Sequence, residues 1–316
     1  MYYYVIGNKN YNEITTSSER YNSLLSKKTC HKRFKNKTDA AHFLKVFNKY
    51  FKQKYNAFVD FEFTCSMSKK DFKYPEIQSE VLSIGICIAD NQGNIIDSFY
   101  STVKPKYNDV LTPYCISLTH LKQEEIDNSK DLISVFKEAT AFLKQYHIGI
   151  LNAFGTSDYN QTKTDIDRFK NNEDYPMLLK LVNKITNIQP EIISCLIGFK
   201  QEISLEDAKN LCGISGNVKH NALSDAEDLS KVVFATFFNP PSEKKILKYI
   251  EQREKHIKYK QLRHFKTHQL KLNNEDKEKF LEVCEILENN FSNNIKVEAF
   301  IDDLLFLSGQ ELKFKY

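Results

Sequence analysis

The sequence contains no tryptophan and no closely spaced cysteine pair. Its seven cysteines are odd in number and form no Cys-x-x-Cys motif, which argues against a zinc knuckle and against a disulfide framework. We therefore expect a protein of a reducing compartment, the cytoplasm. Aromatic side chains are nevertheless plentiful, because 17 tyrosines and 23 phenylalanines are available for cores and stacking surfaces.

Long apolar runs are also missing. No run approaches the ~20 residues that span a bilayer. The amino-terminal residues, MYYYVIGNKN, lack the charged region followed by an apolar region that marks a signal peptide. We expect neither a membrane span nor a secretory leader. Apolar residues make up 41% of the 316 and charged residues 27%, which is typical of a globular protein.

The small net charge of +4 conceals an uneven distribution. Residues 1–54 contain 12 Lys or Arg against 3 acidic residues, whereas residues 55–239 contain 18 against 25. Residues 240–270 are basic again, with 9 against 3. Two basic blocks beside an acidic middle favour a polyanionic partner such as nucleic acid, and a merely solvated basic surface is the alternative.

The pattern of strands, helices and turns predicts three parts: residues 1–54, 55–239 and 240–316. The first part is interpreted as a small α/β module and the last as helical. Pro240 and Pro241 end the strongly apolar helix of the middle part and mark its boundary. In that middle part the predicted strands are 57–63, 81–89, 95–103 and 148–153. The predicted helices are 131–146, 159–170, 204–213 and 222–238. Such an order predicts a mixed α/β sheet with helices around it.

The middle part carries acidic side chains on a predicted strand, after another strand and at the start of a helix, positions at which functional sites often lie. Asp60 and Glu62 are two apart on a predicted strand, so both point to the same face. Such a pair repels itself unless a cation lies between the carboxylates, and oxygen ligands suit Mg²⁺ or Mn²⁺. Asp158 follows the strand at 148–153, and Asp225 begins the apolar helix, with His220 five residues earlier. Each residue alone is common at a surface; the ordered set predicts a metal site.

This order of motifs resembles that of the DEDDh 3′→5′ exonucleases, which read Asp-x-Glu, then a strand followed by Asp, then His-x4-Asp. Residues 55–238 are most similar to the subfamily that trims histone mRNA and small RNAs, which includes KapD-like proteins. The sequence segments that carry this similarity are FVDFEFTC, Pro75-Glu76-Ile77, Tyr114–Thr119 and GTSDYN. The resemblance implies a ribonuclease H-like mixed five-stranded sheet flanked by helices, and hydrolysis of RNA from its 3′ end to 5′-monophosphates.

The resemblance also implies a role for each residue of the set. Asp60, Glu62, Asp158 and Asp225 would hold two Mg²⁺ ions, which Mn²⁺ can replace, at the ~3.5–4 Å separation of two-metal sites. His220 would take the proton from the attacking water. The chain departs from the family at Thr156 and Ser157, where relatives often carry an aromatic or acidic residue before the aspartate.

Residues 2–46 resemble the hybrid-binding domain of eukaryotic-type ribonucleases H, which is related to viroplasmin modules. The matching stretches are Tyr3–Gly7, Ile14–Thr16, His31–Phe34 and Thr38–Leu44. The resemblance implies binding of double-stranded RNA or an RNA/DNA hybrid, with Lys32 and Arg33 at backbone phosphates. The stacking tryptophan of that family is replaced near Ser17, and its second ring by His31. A small basic domain for another partner is the alternative.

Two other functions of the whole chain remain open at this point. One is a DNA-trimming 3′→5′ exonuclease with the same site, and the other is a non-catalytic adaptor that binds duplex nucleic acid. The basic stretch 242–270 is interpreted either as a solvated helix or as a clamp on the substrate strand.

Overall fold

The computed structural model describes residues 2–8, 11–19, 22, 30–198, 202–216 and 220–267. The chain divides into two compact units, Met1–Ser242 and a second unit that begins at Glu243. The sequence pattern also predicts a helix at residues 17–25, most of which lies outside the described residues, and a pair of helices at 276–307, all of which lies outside them. The three-part division at 54/55 and 239/240 stays a prediction.

The basic amino-terminal residues form a three-stranded antiparallel sheet and one helix. The sheet order is β2-β1-β3, with strands β1 (Tyr3–Asn8), β2 (Tyr11–Thr15) and β3 (Cys30–Phe34). Helix α1 (Lys37–Phe51) begins at Asn36, whose side chain accepts a hydrogen bond from the Asp39 N–H at 2.8 Å. This is the preferred chemistry for the start of a helix, because it satisfies one of the unpaired amides there.

The middle of the chain forms a six-stranded mixed sheet in the order β7-β6-β5-β4-β8-β9. Its strands are β4 (Tyr55–Phe63), β5 (Val81–Asp90), β6 (Ile95–Lys104), β7 (Lys130–Asp131), β8 (Leu151–Ala153) and β9 (Ile185–Asn187). Its helices are α2 (Pro113–Thr119), α3 (Gln123–Asp127), α4 (Leu132–Gln145), α5 (Ser157–Ile166), α6 (Tyr175–Val182), α7 (Gln189–Ile197), α8 (Leu205–Cys212) and α9 (Ala222–Phe238).

The predicted class, a mixed sheet flanked by helices, is confirmed, but the sheet has six strands and not five. The additional strand is β7, whose two residues pair in parallel with Val103 and Lys104 of β6. Two residues are too few to carry the alternation that reveals a strand in sequence. They also stand directly before α4, so the helical periodicity dominates that stretch.

Strand β4 is central, with β5 antiparallel on one side and β8 parallel on the other. Ala57, Val59 and Phe61 belong to the main core, which also contains the buried face of α4. Because side chains alternate along a strand, Phe58, Asp60 and Glu62 point to the opposite face. Helix α9 packs on that face against β4 and β5, so the acidic pair lies under α9.

Helix α9 is held in place by aromatic packing and by a buried ion pair. Phe234 meets Phe58 of β4 at a centroid distance of 6.3 Å, and Phe237 meets Phe43 of α1 at 5.0 Å. The ammonium of Lys209 on α8, only 1% exposed, donates to Asp228 of α9. Removing one partner of such a buried pair lowers the free energy of unfolding by ~3–5 kcal/mol. A shift of α9 that separated Lys209 from Asp228 would therefore be strongly unfavourable.

The second unit is described here by one helix, α10 (Glu243–Thr267). On its surface Glu251 and Lys255, four residues apart, form an ion pair at 2.8 Å. The predicted helical character of 240–316 therefore holds over these residues, and 268–316 lie outside the described part. Among the described helices, none is long and apolar enough to cross a membrane.

Candidate active site

The first two candidate ligands lie on β4, as the alternation predicted. Asp60 is partly buried and Glu62 is 9% exposed. The register between β4 and β5 shifts between Glu62 and Phe63. An irregularity of this kind inserts an extra residue and re-aims the neighbouring side chains, and it is common beside functional sites. It places the end of β4 at the point where the carboxylates gather.

The start of α9 brings Asp225 to the same face of the sheet. The Asn221 side chain accepts a hydrogen bond from the Ser224 N–H at 3.1 Å and so begins the helix. Asp225 lies in the first turn and is 4% exposed. His220 precedes the cap, is exposed, and has a φ of 48°, a left-handed conformation that is uncommon outside glycine.

Asp158 reaches the site from the neighbouring parallel strand. Ala57 of β4 pairs with Leu151 of β8, so the carboxyl ends of both strands lie at the same edge of the sheet. Asp158 stands in the first turn of α5, directly after β8, and is 6% exposed. The sequence placed it beyond a strand, and the structure adds that it begins a helix.

The structure therefore brings the predicted residues together. Oxygen and nitrogen atoms of Glu62, His220 and Asp225 lie within 4.8 Å of one another, the one such ligand group found among the described residues. Asp60 is outside this trio but interacts electrostatically with Asp158, Glu62 and Asp225. Four carboxylates and one imidazole at one edge of a sheet offer hard oxygen ligands together with a proton acceptor.

Burial raises the pKa values of Asp60, Glu62 and Asp158, and repulsion between neighbouring charges raises those of Asp60 and Glu62 further. The pKa of Asp60 is raised first by burial, then by the charges of Asp158, Glu62 and Asp225. Burial and the charge of Asp225 raise the pKa of Glu62 to about 8, and burial raises the pKa of Asp158 to about 7. Divalent cations would reverse this cost, because they neutralise the charges that the fold has gathered. The donor set thus fits such ions.

In the metal-free protein these pKa shifts predict a stability that falls as pH rises. The folded state retains protons on Glu62 and Asp158 up to about pH 8 and 7, whereas the unfolded chain loses them near ~4. The free energy of unfolding should therefore be highest below pH ~4, in respect of these groups, and decrease up to pH ~8. We expect the melting temperature in EDTA to drop by at least ~5 °C between pH 5 and pH 8.

Thermal unfolding at several pH values in EDTA measures this effect, with Glu62→Gln as the matched variant. The amide of that variant cannot titrate, so its melting temperature should fall less across the same range. A fall of equal size in both proteins would show that other groups cause the pH dependence.

Two residues that the sequence did not single out support the site. Gly85 of β5 pairs with Asp60, and a Cβ at Gly85 would lie 2.1 Å from the Leu223 backbone nitrogen. Only glycine allows α9 to begin so close to the sheet. A glycine inside an apolar strand is the available sequence signal for such an approach. Tyr100 of β6 lies beside Asn221, and burial raises the pKa of its hydroxyl; no sequence pattern predicts that contact.

Lys32 and Arg33, the predicted phosphate contacts, are neighbours on β3 with different surroundings. The Lys32 ammonium donates to the carbonyl oxygens of Cys195 and, at 3.0 Å, Leu196 at the carboxyl end of α7. Arg33 is exposed, with its guanidinium 4.5 Å from the ring centroid of Tyr2. The structure thus gives Lys32 a packing contact within the first unit, and the nucleic-acid role of both residues stays a prediction.

The exonuclease family model (RNase_T) matches residues 57–233, more than half of the chain. The chain belongs to the exonuclease family. The matched range contains every residue of the acidic cluster together with His220. Family membership agrees with the predicted ribonuclease H-like fold and confirms the resemblance drawn from the Asp-x-Glu, Asp and His-x4-Asp motifs.

Curated relatives include 3′-5′ exonucleases from human and from Schizosaccharomyces pombe. The human 3′-5′ exoribonuclease 1 is 28% identical over 96 residues, which are 30% of this chain and 26% of the human protein. The 3′-5′ exonuclease eri1 of Schizosaccharomyces pombe is 31% identical over 94 residues, 29% of this chain and 30% of that protein. The alignments thus span between a quarter and a third of the relatives' length.

Among solved structures, the nuclease domain of 3′hExo, a DEDDh family member bound to rAMP, is similar at 18% identity and a TM-score of 0.46. The similarity covers 58% of this chain and 91% of that domain. A 3′-exonuclease that recognises the histone mRNA stem-loop matches over 58% of this chain and 63% of the other, at 19% identity and a TM-score of 0.47.

Proposed function

We propose that this chain is a metal-dependent 3′→5′ exonuclease that hydrolyses RNA from its 3′ end to 5′-monophosphates. The observation that carries the proposal is the convergence of Glu62, His220 and Asp225 within 4.8 Å, beside Asp60 and Asp158. The names of the human and fission yeast relatives supply the direction of digestion, and the human name supplies RNA as the substrate class.

The four carboxylates would hold two divalent cations, Mg²⁺ or its substitute Mn²⁺, in keeping with the use of divalent ions by DEDDh exonucleases. Bound there, the cations would offset the negative charge of the phosphodiester and favour ionisation of the attacking water. The buried positions of Glu62, Asp158 and Asp225 hold their side chains rigid, so the ligand geometry is set before substrate arrives.

His220 has the position that a proton acceptor needs. Its ring lies at the exposed rim of the cluster, where water and the 3′ end of an RNA strand can both reach it. Histidine is the side chain that most often takes or gives a proton in general acid–base catalysis. We assign it the proton of the attacking water, while the carboxylates bind and orient.

Digestion of a 5′-labelled RNA in Mg²⁺ tests the proposal. We expect a ladder that shortens by single nucleotides from the 3′ end, with nucleoside 5′-monophosphates as the product and DNA of the same sequence cut at least tenfold more slowly. The matched control is Asp225→Asn, which keeps the shape of the side chain but removes a charge. A ladder unchanged in that variant would contradict the assignment of the site.

The same assay separates the two alternatives. Equal or faster digestion of single-stranded DNA would favour a DNA-trimming enzyme. Tight binding of duplex with no nucleotide released at any Mg²⁺ or Mn²⁺ concentration would favour a non-catalytic adaptor.

We further propose that the basic block 1–54 grips double-stranded RNA or RNA/DNA hybrid through backbone phosphates. Arg33→Gln should lower the slope of log affinity against log salt by about 1, because one phosphate contact releases roughly one counterion. Lys32→Gln should lower the slope as well, and it should also lower the melting temperature, since two carbonyl groups of α7 lose their donor.

Filter binding of a hybrid duplex at several salt concentrations, together with thermal melts, measures both effects. An unchanged slope in Arg33→Gln would remove this residue from the interface. We also propose that the chain is divided into the parts 1–54, 55–239 and 240–316, and that the protein is cytoplasmic.

A further inference from the structure

Two cysteines lie next to each other beside the carboxylate cluster. Cys65 follows Glu62 by three residues, just beyond the end of β4, and Cys115 lies in α2. The two side chains interact directly, since each one shifts the pKa of the other. Cys115 belongs to a small core with Leu82 and Leu111, against which Cys65 packs. The side chains of five cysteines are described, all as thiols, and neither member of this pair is needed for the proposed mechanism.

The backbone holds these two residues in register. The hydroxyl of Thr112 donates to the carbonyl oxygen of Cys65 at 2.7 Å and accepts from the N–H of Cys115 at 3.0 Å. One hydroxyl therefore joins both main-chain segments, which lie within about two hydrogen-bond lengths of each other. Disulfides form between backbones at this kind of approach, with Cα atoms ~4.4–6.8 Å apart.

The two thiols differ in exposure in a way that suits oxidation. Cys115 is 1% exposed, whereas Cys65 is only partly buried. The neighbouring Cys65 side chain lowers the pKa of Cys115 to about 7, so Cys115 supplies the reactive thiolate, while the less buried Cys65 lies on the side from which a small oxidant enters. Accessible thiols with an adjacent resolving thiol are the arrangement expected at reversible redox sites.

We propose that Cys65 and Cys115 form a reversible disulfide that switches the nuclease off, with a peroxide as the oxidant. One thiol reacts with hydrogen peroxide to give a sulfenic acid and water. The second thiol then displaces the hydroxyl as a second water and forms the S–S bond, so two thiols and one peroxide yield one disulfide and two waters. A dithiol reductant returns both thiols.

The disulfide would act on the site through β4. Bonded sulfurs lie ~2.05 Å apart, well inside the contact distance of two separate thiols, so the segment after Glu62 must move toward α2. The Cys115 thiol also donates to the carbonyl oxygen of Phe63 at 3.8 Å, a contact that the new bond would remove. A displacement near ~1 Å at a catalytic group can cost ~10²-fold in rate. This inactivation step rests on the proposed function.

The experiment oxidises the 316-residue chain with a small excess of hydrogen peroxide, blocks the remaining thiols with iodoacetamide and digests the protein without reductant. We expect mass spectrometry to find the peptides of Cys65 and Cys115 linked, and RNA hydrolysis to fall at least tenfold and recover in dithiothreitol. Cys65→Ser should stay active after peroxide. Cys87→Ser, which alters a buried thiol of β5, should be inactivated as the unchanged chain is.

Separate readouts distinguish the possible failures. Absence of the linked peptide, or a different cysteine pair, would overturn the disulfide. A linked peptide with unchanged hydrolysis would overturn the switch. Should the untreated protein release no nucleotide, the proposed function fails; the linked peptide then still decides the disulfide, and a loss of Mg²⁺-induced thermal stabilisation after oxidation decides its effect on the cluster.

Discussion

Asp60→Asn should abolish RNA hydrolysis, lowering kcat by at least ~10³-fold, and at the same time make the metal-free protein more stable. The loss of activity follows because Asp60 lies among the other three carboxylates. Metal ions contribute several kcal/mol of charge stabilisation in the transition state, and each ~1.4 kcal/mol is a factor of ten in rate.

The gain in stability follows from the same electrostatics. Burial and three neighbouring negative charges raise the pKa of Asp60, so its ionised form is costly when no cation is present. A neutral amide of the same shape removes that cost. We expect the melting temperature in EDTA at pH 8 to rise by a few degrees, and the further rise that Mg²⁺ produces in the unchanged chain to shrink.

Nucleotide release and thermal melts with EDTA or Mg²⁺ measure both halves of this prediction. Glu124→Gln, at an exposed position of α3, is the matched control and should alter neither. A stable but fully active Asp60→Asn protein would exclude a two-cation site at this position. Lower stability in EDTA would show that Asp60 makes favourable contacts that outweigh the repulsion.

The candidate site residues on β4 and α9 could be located from sequence because they interrupt regular patterns. Asp60 and Glu62 are charges inside an apolar strand, where an unpaired charge is costly. Asp225 stands at the start of an apolar helix whose bounds, Ala222–Phe238, match the prediction. Local periodicity determines such elements, and the motif spacing supplies their order along the chain.

The contacts between elements could not be predicted in this way. The phosphate contact of Lys32 stays a prediction, and the structure adds that its ammonium contacts carbonyl groups more than 160 positions away along the chain. The approach of Cys115 to Cys65 likewise depends on how α2 folds back on β4. A single sequence carries no record of such long-range pairings, because they follow from packing and not from local periodicity.

The second prediction concerns Gly85, which has no functional group at all. Gly85→Ala should lower the rate of RNA hydrolysis by at least ~10²-fold in a protein that still folds. A Cβ at this position would lie 2.1 Å from the Leu223 nitrogen and 2.2 Å from the Ala222 carbonyl carbon. Both are backbone atoms, so no side chain can rotate away and the start of α9 must move.

Because Asp225 stands in the first turn of α9 and His220 just before it, that movement separates both from Glu62 and Asp60. A shift of ~1 Å is enough for the expected loss of rate, and overpacking costs a further ~1–3 kcal/mol of stability. Gly149→Ala is the matched control, since nothing lies within 4 Å of its added Cβ. Circular dichroism, thermal melts and nucleotide release compare the two proteins. If Gly85→Ala were as active as Gly149→Ala, the close packing of α9 against β5 would not determine the positions of Asp225 and His220.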